Sequence, residues 1–289
     1  MMFFKMQGLG NDYVYIDCIN GKEPIDIKNL TNRLSNRHFG VGSDGLILLC
    51  KSKVADLKMR MFNSDGSEAQ MCGNGIRCVA KLAYELGLIC EEITTIETLS
   101  GIKTLKLNIV NGKVKTVEVD MGAPILEATK IPVSSSAKIE DKKVKAEVKV
   151  KNKKIELTCV SMGNPHAITI VKDTSKFDVK KYGEELEVNK AFPRRTNVEF
   201  VQIIDRNTIK MRVWERGAGE TLACGTGACA TAVACNLNGL TDRKVTIELL
   251  GGNLEIEWNK ENNHVYMTGP ATTVFEGELI EQGGILWVI

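Results

Sequence analysis

The chain has 289 residues, with 38 Lys and Arg against 36 Asp and Glu, so its formal net charge is +2. This balance excludes the basic surface typical of a nucleic-acid-binding protein, and the length favours two domains of ordinary size. No apolar run approaches the roughly 20 residues that a membrane span needs, and the N-terminus lacks the pattern of a signal peptide. We therefore expect a cytoplasmic protein with no nucleic-acid or membrane partner.

The first half of the chain predicts short strands separated by two helices. In chain order these are a strand, a polar helix, two strands, a helix after a Gly-rich turn, and a hairpin, over Tyr13–Asp17, about Asp26–Asn36, Gly45–Cys50, Leu57–Asn63, Asn74–Glu85, and Leu105–Val110 with Val114–Val119. Asn111-Gly112 is a strong signal for the two-residue turn of that hairpin.

The second half predicts the same order of elements. They are a strand, a polar helix, two strands and a helix, over Ala167–Val171, Val179–Asn189, Val198–Ile204, Ile209–Glu215 and Thr226–Leu237. Most neighbouring strands are joined by turns, so the sheets should be mainly antiparallel. Between the halves, Lys138–Lys154 fits either an anion-binding patch or a strand with one solvated face. Within it, Lys143–Lys151 alternates Lys and Glu with Val and Ala, which favours the strand.

The two halves also read alike residue by residue. Residues 57–75 and 209–227 share Lys, Met, Arg, Glu, Cys and two Gly at matching positions, and Gly10-Asn11 corresponds to Gly163-Asn164. This repeat is far longer than that of a solenoid. It indicates a duplicated domain with a pseudo-two-fold axis and a cleft that receives equivalent residues from both copies. The boundary between the copies should lie near Ile125–Ser136.

Each copy places Cys-Gly-x-Gly at the start of a helix. The two turns are Cys72-Gly73-Asn74-Gly75 and Cys224-Gly225-Thr226-Gly227. First-turn N–H groups and the helix dipole favour negative charge there, so we expect a lowered pKa for both thiols. The same N–H groups can hold a carboxylate.

Other interpretations of these cysteines remain open. They could simply be small residues packed at a turn. A disulfide framework is disfavoured because the total number of cysteines, nine, is odd. Zinc is a poor fit because Cys72…Cys78 and Cys224…Cys229 lack knuckle spacing and no paired His follows, so we expect no metal. A C-x-x-C redox pair is absent, and a cysteine protease would not explain a duplicated Cys.

Two thiols on opposite faces of one carbon suit a stereochemical inversion. One thiolate removes the α-proton while the opposite thiol delivers a new one, and the roles exchange in the reverse direction. N–H groups at the two helix starts would stabilise the charge that develops on the α-carboxylate. The sequence therefore predicts a cofactor-independent amino-acid epimerase.

These segments together resemble the diaminopimelate epimerase family. The resemblance covers nearly the whole chain and rests on the motifs Gly8-Leu9-Gly10-Asn11-Asp12, Met71–Cys78, Gly163-Asn164-Pro165-His166, Arg195–Phe200 and Glu215–Cys229. It implies interconversion of LL- and meso-diaminopimelate, in lysine and peptidoglycan synthesis, without a cofactor, by a homodimer. It also implies an α/β fold of two pseudo-symmetric domains, each with mainly antiparallel strands around a central helix. Residues 1–126, completed by 274–289, would form the first domain and residues 127–273 the second.

The resemblance also assigns roles to residues. It implies that Cys72 and Cys224 are the catalytic bases and that Gly73, Asn74, Gly225 and Thr226 hold the reacting carboxylate. A second set would grip the distal end of the substrate, namely Asn11, Asn63, Asn164, Asn197, Glu215 and Arg216. Arg216 can fork onto a carboxylate, whereas isolated Asn residues more often form turns or caps. His166 and Glu215 would tune the thiols, although a purely structural His166 is an equal alternative.

One position departs from the family pattern, and two rival functions stay open. Gly45 stands where some family members carry a Gln that touches substrate. The nearest rival is a two-Cys racemase of the proline or hydroxyproline type, which would need neither Arg216 nor so many Asn amides. A carrier on the same fold, or an isomerase with a carboxylate base, is disfavoured by intact Cys at both turns.

Overall fold

The computed structural model describes residues 1–134, 138–140, 143–151, 153–282 and 285–288. The first part of the chain forms eight strands and two helices, in the order β1 Met2–Gly8, β2 Asn11–Asp17, α1 Ile27–Ser35, β3 Gly45–Cys50, β4 Leu57–Asn63, β5 Glu68–Ala69, α2 Gly73–Glu85, β6 Ile93–Thr98, β7 Gly101–Val110 and β8 Lys113–Asp120. Ser135 and Ser136, within the expected boundary segment, lie outside the described residues.

The remaining elements follow in chain order. They are β9 Lys138–Glu140, β10 Lys143–Val150, β11 Lys153–Ser161, β12 Pro165–Ile170, α3 Val179–Glu187, β13 Asn197–Ile203, β14 Thr208–Glu215, β15 Gly219–Thr221, α4 Gly225–Leu237, β16 Lys244–Leu249, β17 Gly252–Trp258, β18 Val265–Pro270, β19 Thr272–Gln282 and β20 Ile285–Val288. A short 3-10 turn at Thr174–Lys176 precedes α3.

The chain divides into two compact units. Unit 1 comprises residues 1–119 with 269–289, and unit 2 comprises residues 120–268. The elements from β2 to β8 in unit 1 have the same order as those from β12 to β18 in unit 2. A mixed α/β fold built on a duplicated unit, as the sequence predicted, is therefore confirmed.

Unit 1 is built mainly from antiparallel strand pairs. β1 pairs with β2 and β19, β3 pairs with β4, and β6, β7 and β8 form a meander. The pairs β2–β3 and β4–β6 are parallel because α1 and α2 return the chain to the starting edge before the second strand begins. At the β7–β8 turn, Asn111 and Gly112 both have positive φ, as a type I′ turn requires, which confirms the predicted hairpin.

Unit 2 repeats this arrangement. β9 to β12 pair antiparallel, β13 pairs with β14, and β16, β17 and β18 form a meander. Its parallel pairs, β12–β13 and β14–β16, again enclose a helix. In β10, Val144, Ala146, Val148 and Val150 are buried while the alternate residues are wetter, as expected of a strand with one solvated face.

The second helix of each unit lies in its core. In α2, the run from Gly73 to Ala80 is buried, and in α4 the run from Gly227 to Cys235 is buried. Such helices are rich in Ala and other small residues so that strands can pack closely on every side. The N-terminus of each buried helix is therefore enclosed by the strands of its unit.

Candidate active site

Cys72 is the N-cap residue of α2 in unit 1. Its backbone is extended, with φ −132° and ψ 119°, and its Sγ accepts a hydrogen bond from the backbone N–H of Gly75 at 3.4 Å. A side chain at Gly75 would meet the Cδ1 of Ile47 at 2.7 Å, so glycine lets the turn pack directly onto β3. The thiol is only partly buried. The sequence prediction that this Cys begins the helix is confirmed.

Asn11 and Asp44 hold the Cys72 thiol from the neighbouring strands. The thiol donates to Asn11 Oδ1 at 3.1 Å, and the Asn11 Nδ2 donates to Asp44 Oδ2 at 2.8 Å. A carboxylate can only accept, so Asp44 fixes the orientation of the Asn11 amide. Arg37 in turn donates to both Asp44 and Asp12, at 3.1 and 2.8 Å. Asp44 was not among the residues singled out from the sequence.

The other predicted residues of unit 1 occupy distinct environments. Asn74 lies in the first turn of α2 and is almost completely buried. Asn63 ends β4, is exposed, and donates to Ser67 Oγ at 3.1 Å within the turn to β5. At Gly45, a side chain would place Cβ 2.0 Å from the carbonyl oxygen of Phe62. The position that carries Gln in some family members is thus occupied here by the backbone of β4.

Cys224 is the N-cap residue of α4 in unit 2, with the same local geometry as Cys72. Its Sγ accepts from Gly227 N at 3.4 Å and lies 3.5 Å from Thr226 Oγ1. It differs in burial, because only 6% of Cys224 is exposed. Burial, followed by the negative charges of Glu215 and Glu199, raises the pKa of the Cys224 thiol well above its usual value. The expectation of a lowered pKa is therefore wrong for this thiol, since loss of hydration outweighs the helix terminus.

Glu215 lies beside Cys224 at the end of β14. Its carboxylate accepts a hydrogen bond from the hydroxyl of Thr221 and another from the Cys224 thiol. Burial raises the pKa of Glu215 above its ordinary value, although these hydrogen bonds oppose that shift. Glu215 therefore lies next to the Cys224 thiol, and its role in tuning that thiol stays a prediction.

His166 and Glu199 form a fully buried pair behind the same helix start. His166 Nδ1 lies 2.6 Å from Glu199 Oε1, and its Nε2 lies 3.1 Å from Asn164 Oδ1. Both ring nitrogens therefore face oxygen atoms. A side chain at Gly227 would meet Glu199 Oε1 at 2.7 Å, which places this carboxylate directly under the Cys224 turn.

Glu199 was not singled out from the sequence, although a signal existed. It is a charged residue inside the apolar run from Val198 to Val201, and it is completely buried in β13. Its Oε2 has no hydrogen-bond partner among the described residues. A buried carboxylate with spare acceptor capacity is costly and commonly marks a functional site.

Asn164, Asn197 and Arg216 complete the set in unit 2. Asn164 Nδ2 donates to Thr226 Oγ1 at 3.2 Å, so it joins His166 to the first turn of α4. Asn197 is buried, donates to Pro165 O at 2.9 Å and accepts from the backbone N–H of Arg216 at 2.9 Å. The Arg216 guanidinium is exposed and donates to Arg194 O at 3.2 Å. Asn197 therefore positions the turn that presents Arg216.

The two thiols have unlike surroundings despite the repeat. Ile47 of unit 1 and Glu199 of unit 2 occupy matching positions beneath Gly75 and Gly227. Tyr13 likewise corresponds to His166 in the repeat. Unit 1 thus offers an apolar floor under its Cys turn, whereas unit 2 offers a carboxylate and an imidazole. Among the described residues, no group of three or more His, Cys, Asp or Glu side chains could hold a metal ion.

The fold itself is shared with proteins of known structure. A probable proline racemase from Agrobacterium radiobacter K84 superposes with a TM-score of 0.68 at 14% identity, covering 97% of this chain and 93% of that one. A phenazine biosynthesis protein of the PhzF family from Bacillus anthracis superposes with a TM-score of 0.70 at 18% identity, covering 97% and 99%. At these identities the likeness establishes the fold alone.

Sequence comparison is more specific. The family described as diaminopimelate epimerase matches residues 3–127 and 158–274. A diaminopimelate epimerase from Methanococcus maripaludis strain S2 is 57% identical over 281 residues, which cover 96% of this chain and 99% of that protein. One from Acetivibrio thermocellus is 55% identical over 280 residues, which cover 96% and 98%.

The family match and these relatives define the chain as an isomerase, of the epimerase class. The chain belongs to the diaminopimelate epimerase family. Across the described residues, no helix has both the length and the apolar character needed to cross a membrane.

Proposed function

We propose that this epimerase interconverts LL- and meso-diaminopimelate, a step of lysine biosynthesis, with the thiols of Cys72 and Cys224 as its two bases. The observation that carries the mechanism is the matched placement of the two cysteines. Each is the N-cap residue of a buried helix, and each Sγ accepts from the N–H of a glycine three residues later. Neither a proline racemase nor a carrier would need the contacts that we propose to the distal end of the substrate.

The chemistry follows from what these turns present. An α-proton becomes acidic only if the carboxylate beside it is stabilised as charge develops. First-turn N–H groups at Gly73 and Asn74, and at Gly225 and Thr226, are suited to hold that carboxylate. One sulfur removes the proton while the other supplies one, so the configuration of the carbon is inverted. The proposed mechanism requires no cofactor.

The surroundings of Cys224 favour one resting state for this thiol. Cys224 is a neutral thiol at neutral pH because its pKa is raised, so it is the proton donor in the direction in which Cys72 acts as the base. In the reverse direction Cys224 must give up its proton. Thr226 and the Gly227 N–H stabilise the resulting thiolate, as their hydrogen bonds oppose the effect of burial. His166 and its partner Glu199 lie beneath the same turn and belong to this proposal as groups that set the surroundings of the Cys224 thiol.

The distal end of the substrate carries an ammonium and a carboxylate. We propose that the exposed Arg216 guanidinium binds this carboxylate in a bidentate manner. Carbonyl oxygens of Asn11, Asn63 and Asn164 are suited to the ammonium, while Asn197 acts by holding the Arg216 turn. A cytoplasmic location and a homodimeric state also belong to this proposal.

The proposal is tested with purified chain in D2O and no added cofactor. LL-diaminopimelate should give meso product with deuterium at the inverted carbon, while L-proline and trans-4-hydroxy-L-proline should acquire none. Cys72→Ala and Cys224→Ala should each lower the rate at least about 10³-fold, which is the order contributed by a positioned proton-transfer group. Cys235→Ala, a buried cysteine in the body of α4, is the matched control and should retain activity. Full activity in either of the first two variants would overturn the two-base mechanism.

A further inference from the structure

Outside the candidate active site, Cys18 and Cys50 lie side by side where two paired strands of unit 1 end. β2 and β3 run parallel with Asp17 opposite Leu49. The Cys18 N–H donates to Leu49 O at 2.8 Å, which extends the ladder by one residue and sets Cys18 opposite Cys50. Neighbouring strands are about 4.7–4.9 Å apart, within the roughly 4.4–6.8 Å between the Cα atoms of disulfide-bonded cysteines.

The two thiols also point to the same side of the sheet. Side chains alternate along a strand, and alternate residues of both strands belong to one apolar cluster. These are Val14, Ile16 and Cys18 on β2 and its extension, and Leu46, Leu48 and Cys50 on β3. Only 8% of Cys18 and 4% of Cys50 are exposed. Beyond Cys18 the chain turns through exposed residues, so small reagents can approach from this end of the strands.

The pair is chemically asymmetric. The interaction between the two thiols lowers the pKa of Cys18 and raises the pKa of Cys50. Glu23 lies near both sulfurs and is held by Arg60 at 2.7 Å. One thiol that ionises readily beside one that stays protonated is the arrangement of a nucleophile and its resolving partner.

We propose that Cys18 and Cys50 form an oxidisable dithiol, a modification site separate from the catalytic thiols. The Cys18 thiolate attacks one sulfur of a low-molecular-weight disulfide and releases one small thiol. The Cys50 thiol then loses its proton and attacks the Cys18 sulfur of the mixed disulfide, releasing the second small thiol. Two S–H bonds of the protein are replaced by one S–S bond, and the small disulfide is reduced to two thiols.

Other cysteines of the chain serve as internal references. Cys90 is exposed and reports that the oxidant reaches the protein. Cys159 is as buried as Cys50, but the residues opposite it in the sheet are Val144 and Ala167, so it has no cysteine partner in the ladder. It should remain a free thiol under native conditions.

The experiment uses the full-length reduced chain in oxidised and reduced glutathione at graded ratios. Remaining thiols are blocked with N-ethylmaleimide in denaturant, and the digest is analysed by mass spectrometry without reduction. Trypsin releases Cys18 on residues 6–22 and Cys50 on residues 38–51, each with no other cysteine. The expected product is a single cross-linked pair of these peptides, formed before Cys159 loses its thiol. Cys50→Ser should instead accumulate glutathione on Cys18.

The proposal fails if both peptides carry only N-ethylmaleimide at ratios that fully modify Cys90. It also fails if Cys18 is cross-linked mainly to a cysteine other than Cys50. Because the measurement follows the bond and not turnover, its result is independent of whether the two-base mechanism is correct.

Discussion

Asp44 accepts a hydrogen bond from the side-chain nitrogen of Asn11 at 2.8 Å, and this bond determines which atom of Asn11 faces Cys72. The carbonyl oxygen of the amide is turned toward the thiol, which donates to it at 3.1 Å. A carboxylate one residue before β3 thereby sets the hydrogen bonding of a sulfur at the start of α2. The consequence is that Asn11 stabilises the protonated form of Cys72.

Asp44→Asn should release the Asn11 amide, because an asparagine can donate as well as accept. Loss of a charge-assisted hydrogen bond costs about 1.5–3 kcal/mol, so kcat/KM should fall about 10- to 100-fold. Steady-state kinetics from both substrate directions measure this effect. Arg37→Gln is the control, since Arg37 contacts Asp44 from the solvent side and leaves the Asn11 bond intact. Equal losses of kcat/KM in the two variants would show that the effect comes from the charges of Arg37, Asp44 and Asp12 and not from the orientation of Asn11.

Glu215→Gln should make Cys224 more reactive. Removing the negative charge removes one of the causes that raise the pKa of Cys224, so more thiolate is present at a given pH. The rate of alkylation by iodoacetamide in a Cys72→Ser background should therefore rise, and its pH profile should move to lower pH. Glu220→Gln is the matched control, because Glu220 is exposed and paired with Arg212. A rate that is unchanged or lower in Glu215→Gln would contradict the electrostatic role.

Arg216→Lys should chiefly raise KM. Lysine keeps the charge but loses the planar fork, so one of two charge-assisted hydrogen bonds is lost. That loss corresponds to about a tenfold increase in KM at nearly constant kcat. Arg194→Lys, in a neighbouring exposed arginine, should leave KM unchanged. A fall in kcat with constant KM would show that Arg216 stabilises the transition state and does not bind the distal end of the substrate.

Cys159→Ala should weaken the dependence of stability on alkaline pH. Burial raises the pKa of Cys159 to about 12, so the unfolded chain loses this proton at lower pH than the folded chain. The contribution to stability is full below the unfolded pKa of about 8.5. It then declines as pH rises toward 12, by about 1.4 kcal/mol per pH unit. The free energy of unfolding, measured with denaturant between pH 8 and about 10.5, should fall less steeply with pH in the variant than in the wild type. Equal slopes would show that Cys159 does not cause this pH dependence.

Much of this architecture could be predicted from the sequence because its signals are local. Helix starts follow from Cys-Gly-x-Gly, the β7–β8 turn follows from Asn111-Gly112, and the duplication is visible in residues 57–75 and 209–227. The strands predicted by period and by turn signals coincide with β2, β3, β4 and their counterparts to within one or two residues.

The partners of the thiols could not be predicted in the same way, since they depend on strand register. Asp44 reaches Asn11 only because β2 and β3 pair in parallel with Tyr13 opposite Gly45. The direction of the pKa shift at Cys224 depends on burial and on two carboxylates from β13 and β14. The Cys-Gly-x-Gly turn itself contains neither carboxylate, so the helix terminus alone suggested the opposite direction of the pKa shift.

The duplicated fold is therefore chemically asymmetric. Where Glu199 and His166 support the Cys224 turn, Ile47 and Tyr13 occupy the matching places in unit 1. The proposed reaction runs in both directions from two different thiols, so neither can be fixed in one protonation state. The hydrogen bond from the Cys72 thiol to Asn11 favours the protonated form of Cys72, whereas those from Thr226 and the Gly227 N–H favour the ionised form of Cys224.

The most direct test of the two-base mechanism is to measure, at low conversion, whether deuterium from D2O enters the product or the remaining substrate. LL-diaminopimelate is incubated with the wild-type chain in D2O, and substrate and product are separated at low conversion and examined for α-deuterium. A two-thiol mechanism predicts that the meso product carries deuterium at the inverted α-carbon while the remaining LL substrate keeps its α-proton. When the reaction starts from the meso isomer, the LL product should carry the deuterium and the remaining meso substrate should carry none. Product that retains the original α-proton, or substrate that exchanges faster than it inverts, would show a single base working on both faces and contradict the account.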